Sequence, residues 1–185
     1  MRVFIEEKRF GDKLVFSNAE YVIPSGRRSL LLGPSGKGKT TLMRILSGLD
    51  RDFKGQIEGM PKRPLVLFQE DRLVESISVL SNLMAVTDDR RKASSVLAEL
   101  GLGGEERNLT SALSGGMKRR LSIARLLLLD GDMLFLDEPF RGLDEEMKGQ
   151  VASVLSAFAG DRTLLLITHD EDDGKLIAAT EEIRI

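Results

Sequence analysis

The chain has 185 residues, of which 42% are apolar, and its 27 basic against 29 acidic residues leave a formal net charge of −2. That length builds one domain with a sizeable core and not two ordinary ones, and the near-neutral balance speaks against a nucleic-acid partner. There is no cysteine, which excludes a disulfide framework and a Cys-based metal site and suits the cytosol; no apolar run reaches the ~18 residues of a membrane span, and the first residues lack a signal peptide's apolar core, so any membrane role has to come through a partner.

Taken in chain order, VFIEEKRF and LVFSNAEYVI read as two antiparallel strands joined at Gly11-Asp12-Lys13. Pro24-Ser25-Gly26 is a turn. Ser29 to Leu32 is a short apolar strand that runs into a glycine-rich loop. Thr40 to Leu49 has helical spacing, with Leu42, Ile45, Leu46 and Leu49 on one side. Gly55–Glu58 and Pro64–Phe68 follow as short strands. From Arg72 the character changes: Leu80, Leu83, Met84 and then Val96, Leu97, Leu100 recur at helical intervals. A longer helix after Gly116 ends near Leu129, so about 72–130 reads as a small helical lobe inserted in the chain. Met133–Leu136 is a buried strand, Glu145–Ala159 a helix and Thr163–Thr168 another strand. A short helix and a last strand, Glu182–Ile185, close the sequence. Apolar strands alternating with helices imply an α/β fold, a mostly parallel sheet with helices on both faces, preceded by an antiparallel β-subdomain.

Two segments carry chemistry by themselves. Gly33-Pro34-Ser35-Gly36-Lys37-Gly38-Lys39-Thr40, followed by Thr41, fits the phosphate-loop pattern between a strand and a helix. Its glycines let the backbone wrap an anion, and successive N–H groups with the helix N-terminus point at phosphates. Lys39 is placed to reach the β- and γ-phosphates of a nucleotide, and the Thr40 hydroxyl to ligate Mg²⁺. Met133-Leu134-Phe135-Leu136 delivers Asp137 and Glu138 at the carboxyl end of a strand, where ligands of open α/β sheets bind. Asp137 suits Mg²⁺ held through water, and Glu138 suits a base that activates water. An acidic turn in solvent is the plainer alternative for these two. A third segment, Leu113-Ser114-Gly115-Gly116-Met117, opens a helix with a second anion-seeking end, and alone it would read as a capping serine beside a flexible turn. Arg119 and Arg120, farther along that helix, read as a solvated face; Asp170 to Asp173 read as an acidic helix start.

The order phosphate loop, Gln69, LSGG, LDE, His169 resembles the ATP-binding cassette ATPases along essentially the whole chain. The resemblance implies a Mg²⁺-dependent ATPase acting as a head-to-tail dimer of cassettes, homo- or heterodimeric. Each ATP then lies between the phosphate loop of one subunit and Ser114, Gly115, Gly116 and Met117 of the other. It further implies that Phe10 stacks on adenine and that Gln69 senses Mg²⁺ and water. Asp144 would cross the dimer interface, and His169 would contact the γ-phosphate. Lys37, Arg141 and Met117 depart from the usual pattern without removing a catalytic group. Gln69-Glu70-Asp71-Arg72-Leu73, with Ser78-Val79-Leu80 and Asn82-Leu83, resembles the nitrate, sulfonate and taurine importer group. That likeness implies a transmembrane permease, an extracellular solute-binding protein and a place on the cytoplasmic face of the membrane. A small-molecule kinase would share the phosphate loop but has no use for LSGG. A cassette that drives a membrane complex without moving a solute is the reading left standing beside transport.

Overall fold

In the computed structural model, which describes residues 1–185, the chain opens on β1 (Arg2–Phe10) and β2 (Lys13–Val22), an antiparallel pair. β3 (Arg28–Leu32) leads into helix α1 (Lys39–Leu46). β4 (Lys54–Glu58) returns to the far side of β1, giving a three-stranded antiparallel sheet in the order β2-β1-β4. β5 (Pro64–Leu67) precedes α2 (Val79–Met84), α3 (Arg90–Glu99), a 3-10 turn at Thr110–Ala112 and α4 (Gly115–Leu127). Then come β6 (Met133–Asp137), α5 (Glu145–Ala159), β7 (Thr163–Ile167), α6 (Asp172–Leu176) and β8 (Glu181–Arg184). The second sheet has five strands in the order β5-β6-β7-β3-β8, and every pair in it is parallel.

The central strands carry the unbroken apolar runs Leu30–Leu32, Met133–Leu136 and Leu164–Ile167 because both faces of a parallel sheet are covered. Side chains alternate between the two faces. Leu30 and Leu32 of β3, Leu134 and Leu136 of β6, and Leu164 and Leu166 of β7 join a core built with α2, α3, α4 and α5. Their alternates Leu31, Met133, Phe135, Leu165 and Ile167 join a second core with Val3, Ile5 and Phe16 of the antiparallel sheet and Leu42, Met43, Ile45 and Leu46 of α1. Helices thus lie on both faces, as expected, and on the second face the single helix α1 shares the cover with the antiparallel β-sheet. The sheet's outer strands are short. β5 opens on Pro64, and β8 carries Glu181, Glu182 and Arg184 in four residues.

Because all five strands run the same way, their carboxyl ends meet on one side, where ligands of such sheets bind. The loops after β3, β5, β6 and β7 start there. They carry the phosphate loop, Gln69, Asp137-Glu138 and Thr168-His169.

A candidate nucleotide site at the carboxyl ends of the strands

The phosphate loop enters α1 at Gly38, which caps the helix with φ 102° and no side-chain bond. A Cβ at Gly38 would stand 2.8 Å from Phe16 and 2.9 Å from Val15, so the loop closes onto β2 only because this residue has none. Lys39 is buried, and its Nζ donates to the carbonyls of Gly33 at 2.6 Å and Pro34 at 3.2 Å. Thr40 Oγ1 donates to Asp137 Oδ2 at 2.8 Å. Phe10, Ser35, Gly36, Gly38, Lys39, Thr40, Thr41, Gln69, Asp137 and Glu138 line one cleft of about 280 Å³, with Lys13 and Val15 on its wall. Gly33, Pro34 and Lys37 belong to the same loop but do not line that cleft; Lys37 is exposed. Phe10 is 53% exposed, with the buried Lys8 ammonium 4.6 Å from its ring centre. Lys8 itself is held by Asp50 at 2.9 Å.

Asp137 is buried, and that burial raises its carboxyl pKa; the Thr40 hydroxyl opposes the shift and the Glu138 charge adds to it. A buried acid beside a hydroxyl is a fit for a hard cation, since Mg²⁺ takes one or two protein oxygens and completes its shell with water and phosphate. No cluster of three or more metal-binding acids, histidines or cysteines surrounds it, so the donor set matches a phosphate-bound Mg²⁺ and not a closed protein cage.

Glu138 adopts φ +50°, a left-handed conformation that non-glycine residues seldom take. Its N–H donates to the Ile167 carbonyl at 2.8 Å. Its Oε1 lies 2.9 Å from His169 Nδ1. That hydrogen bond, then the Glu138 charge, raises the imidazole pKa above its ordinary value. The buried Thr168 hydroxyl donates to Asp173 at 2.7 Å, with Glu138 Oε2 a longer 3.4 Å away.

Ser114, Gly115 and Gly116 sit elsewhere, in a second cleft of about 550 Å³ shared with Arg141, Gly142, Leu143 and Asp144. Ser114 caps α4 by accepting the Met117 N–H at 3.3 Å, and Asp144 caps α5 by accepting the Met147 N–H at 2.8 Å. Each such cap contributes about 1 kcal/mol to its helix. A Cβ at Gly116 would meet the Gly142 carbonyl at 2.8 Å, so the two loops touch through bare backbone. Met117 supplies its N–H to the cap and packs its side chain against the core. One chain thus gathers the phosphate-loop set in one cleft and the LSGG set in another.

One reading of the sequence is corrected. Arg119 is not on a solvated face but 1% exposed; Arg120 donates to the Leu100 carbonyl at 2.6 Å and the Gly101 carbonyl at 2.9 Å. The signal was present: Arg119, Ile123 and Leu126 share the stripe of α4 that faces the core. The acidic helix start is found as read, with Asp172 and Asp173 in the first turn of α6, and Asp173 is in addition buried, which raises its pKa.

Comparison with known proteins gives the arrangement a family. A family model described as ABC transporter matches residues 16–141. The chain is 38% identical over 178 residues to the aliphatic sulfonates import ATP-binding protein SsuB 1 of Pseudomonas syringae pv. syringae, covering 94% of this chain and 75% of that protein. It is 40% identical over 177 residues to the protein of the same name from Paracoccus denitrificans, covering 92% and 73%. In fold it is similar to the dimeric bacterial ABC transporter cassette MJ0796, with a TM-score of 0.84 at 20% identity over 100% of this chain and 94% of that one. With a phosphate loop, an acidic strand end and an LSGG helix on one parallel sheet, and with relatives this similar along nearly all its length, the chain belongs to the ABC transporter family as an ATP-binding, ATP-hydrolysing subunit.

Proposed function

We propose that this subunit powers uptake of an aliphatic sulfonate or a closely related anion through a transmembrane permease. It would work as a pair of cassettes on the cytoplasmic face of the membrane, with an extracellular solute-binding protein upstream. The observation that carries this reading is the 38–40% identity to ATP-binding proteins named for sulfonate import, spread over more than nine tenths of the chain. No helix of the chain is long and apolar enough to cross a membrane, which fits a subunit that reaches the bilayer through a partner.

In hydrolysis, Phe10 stacks on the adenine, and the Gly33–Thr41 loop cradles the phosphates through backbone N–H groups. Lys39 exchanges its carbonyl partners for phosphate oxygens. Glu138 takes a proton from the attacking water, and His169, held by Glu138, offers charge to the γ-phosphate. Thr40 and, through water, Asp137 would hold Mg²⁺, with Gln69 beside them; when bound, the ion neutralises charge on the phosphates. Ser114 and Gly115–Met117 serve the nucleotide of the partner cassette, and Asp144 lies at the contact between the two. Their place in a separate cleft supports a site completed by a second copy. The helices of about 72–130 act as the lobe that meets the permease.

Deleting the gene from its native cell and following uptake of a labelled alkanesulfonate tests the reading. Uptake should vanish, return with the wild-type chain, and stay absent with Glu138→Gln. Co-purification with a multi-span membrane protein and no dependence of sulfonate uptake would instead favour a cassette that drives a membrane complex without moving this solute.

A further inference from the structure

Arg119 has all five of its N–H groups engaged, the full capacity of a guanidinium. Nε donates to the Pro139 carbonyl at 3.3 Å. One terminal nitrogen donates to the Phe68 carbonyl at 2.6 Å and to Asp71 Oδ1 at 3.2 Å. The other donates to the Asp137 carbonyl and, at 3.0 Å, to the Glu138 carbonyl. Three consecutive carbonyls, from the last residue of β6 onward, therefore converge on one buried cation that arrives from α4. The same cation binds on both sides of Gln69, at residues 68 and 71. Bonds from a charged donor are roughly twice as strong as neutral ones, and at 1% exposure water does not compete for them.

Glu138 is the residue in this stretch that needs such support. Its φ of +50° is unfavourable for a side chain with a Cβ. The carboxylate that meets His169 at 2.9 Å projects from this left-handed residue. The strain persists because the peptides on either side are bound: the Glu138 N–H at the Ile167 carbonyl, 2.8 Å away, and the flanking carbonyls at Arg119.

We propose that Arg119 is a positioning residue whose guanidinium holds the Glu138 peptide in its left-handed conformation and so aims the carboxylate at His169. Because Arg119 rides five residues behind Ser114 on the same helix, it also ties that aim to the position of the LSGG segment and the Gln69 loop. A turn of α4 relative to the sheet then shifts the base of the chain's own site while moving the segment offered to a partner's nucleotide. The inference rests on the reading of Glu138 as the group that activates water.

His169 is the only histidine of the chain, so its imidazole C–H resonance reports its titration without assignment. We would titrate wild type, Glu138→Gln, Arg119→Gln and Arg119→Lys by NMR without nucleotide, after confirming by melting that each is folded, and measure kcat and KM for ATP in parallel. Glu138→Gln should bring the His169 pKa back toward its ordinary value. Arg119→Gln should bring it part of the way and lower kcat about 10- to 100-fold, with KM for ATP within about twofold because the phosphate loop is untouched. Arg119→Lys keeps a charge opposite Asp71 with fewer donors; it should move both readouts the same way by less, and it serves if the glutamine variant does not fold. A folded Arg119 variant with a wild-type His169 titration or a wild-type kcat overturns the positioning role. If Glu138→Gln keeps wild-type kcat, the base reading falls and the inference with it; if that variant is inactive and only Arg119 is silent, the inference alone falls.

Discussion

Thr40 and Asp137, 97 residues apart in sequence, share a 2.8 Å hydrogen bond that closes the phosphate loop onto the end of β6. The bond joins the two oxygens proposed to serve Mg²⁺. Thr40→Val keeps the shape and removes the hydroxyl, leaving a buried carboxylate short of a donor. We expect a loss of about 1–3 kcal/mol in urea unfolding together with loss of Mg²⁺-dependent hydrolysis. Thr40→Ser should recover both. A valine variant as stable as wild type would mean that the bond contributes nothing to the fold.

Glu138→Gln retains the size of the side chain and removes its basicity. Hydrolysis should fall about 10²- to 10⁴-fold while ATP still binds. Light scattering with saturating ATP and Mg²⁺ should then find a dimer. A variant that stays monomeric under those conditions would contradict a site shared between two cassettes.

The His169–Glu138 pair makes a prediction in pH. The folded imidazole has a raised pKa, chiefly through its bond to Glu138. Its stabilisation is therefore fully present below the unfolded value, about 6.5, and is lost as pH rises through the folded value. His169→Ala should cost more stability at pH 5.5 than at pH 8.5. The His169 side chain is 71% exposed, so solvent screening keeps the difference below about 1 kcal/mol. Urea melts of both proteins across that range check the sign; a cost that grows toward alkaline pH would contradict it.

Gly38→Ala places a methyl group 2.8 Å from Phe16 and 2.9 Å from Val15 at φ 102°. Both effects act in the same direction. The substitution should cost about 2–4 kcal/mol and weaken nucleotide binding by pulling the loop off β2. Thermal unfolding and calorimetry with ATP measure the two losses separately. An alanine at Gly36, whose added Cβ meets nothing within 4 Å, is the contrast: some backbone strain, no collision.

Much of this architecture was legible because its signals are local. Glu145–Ala159 reads as a helix in the sequence, and the structure has that helix with those bounds. MLFLDE announces a strand that ends in acids because a fully buried strand has no polar alternation to blur it. What the sequence hid depends on distant partners. Arg119 looks like any basic residue on a charged helix until the carbonyls of residues 68 and 137–139 are brought around it. Asp173 reads correctly as an acid at a helix start, but its burial and its bond from the Thr168 hydroxyl depend on the fold around it. That β1 and β2 pack beside α1 on one face of the parallel sheet was also out of reach, since a period of two does not say which sheet a strand will pack upon.

The outer strands of the parallel sheet bear on how the protein behaves when crowded. β5 is four residues long and begins with a proline, which has no N–H to offer a neighbour. β8 presents two glutamates and an arginine over four residues. Short, charged or proline-bearing margins discourage strands of other molecules from adding on. Both margins of the parallel sheet are therefore poor templates for a neighbour's backbone, and the ten-residue β2 at the edge of the antiparallel sheet is the longer strand left open to one.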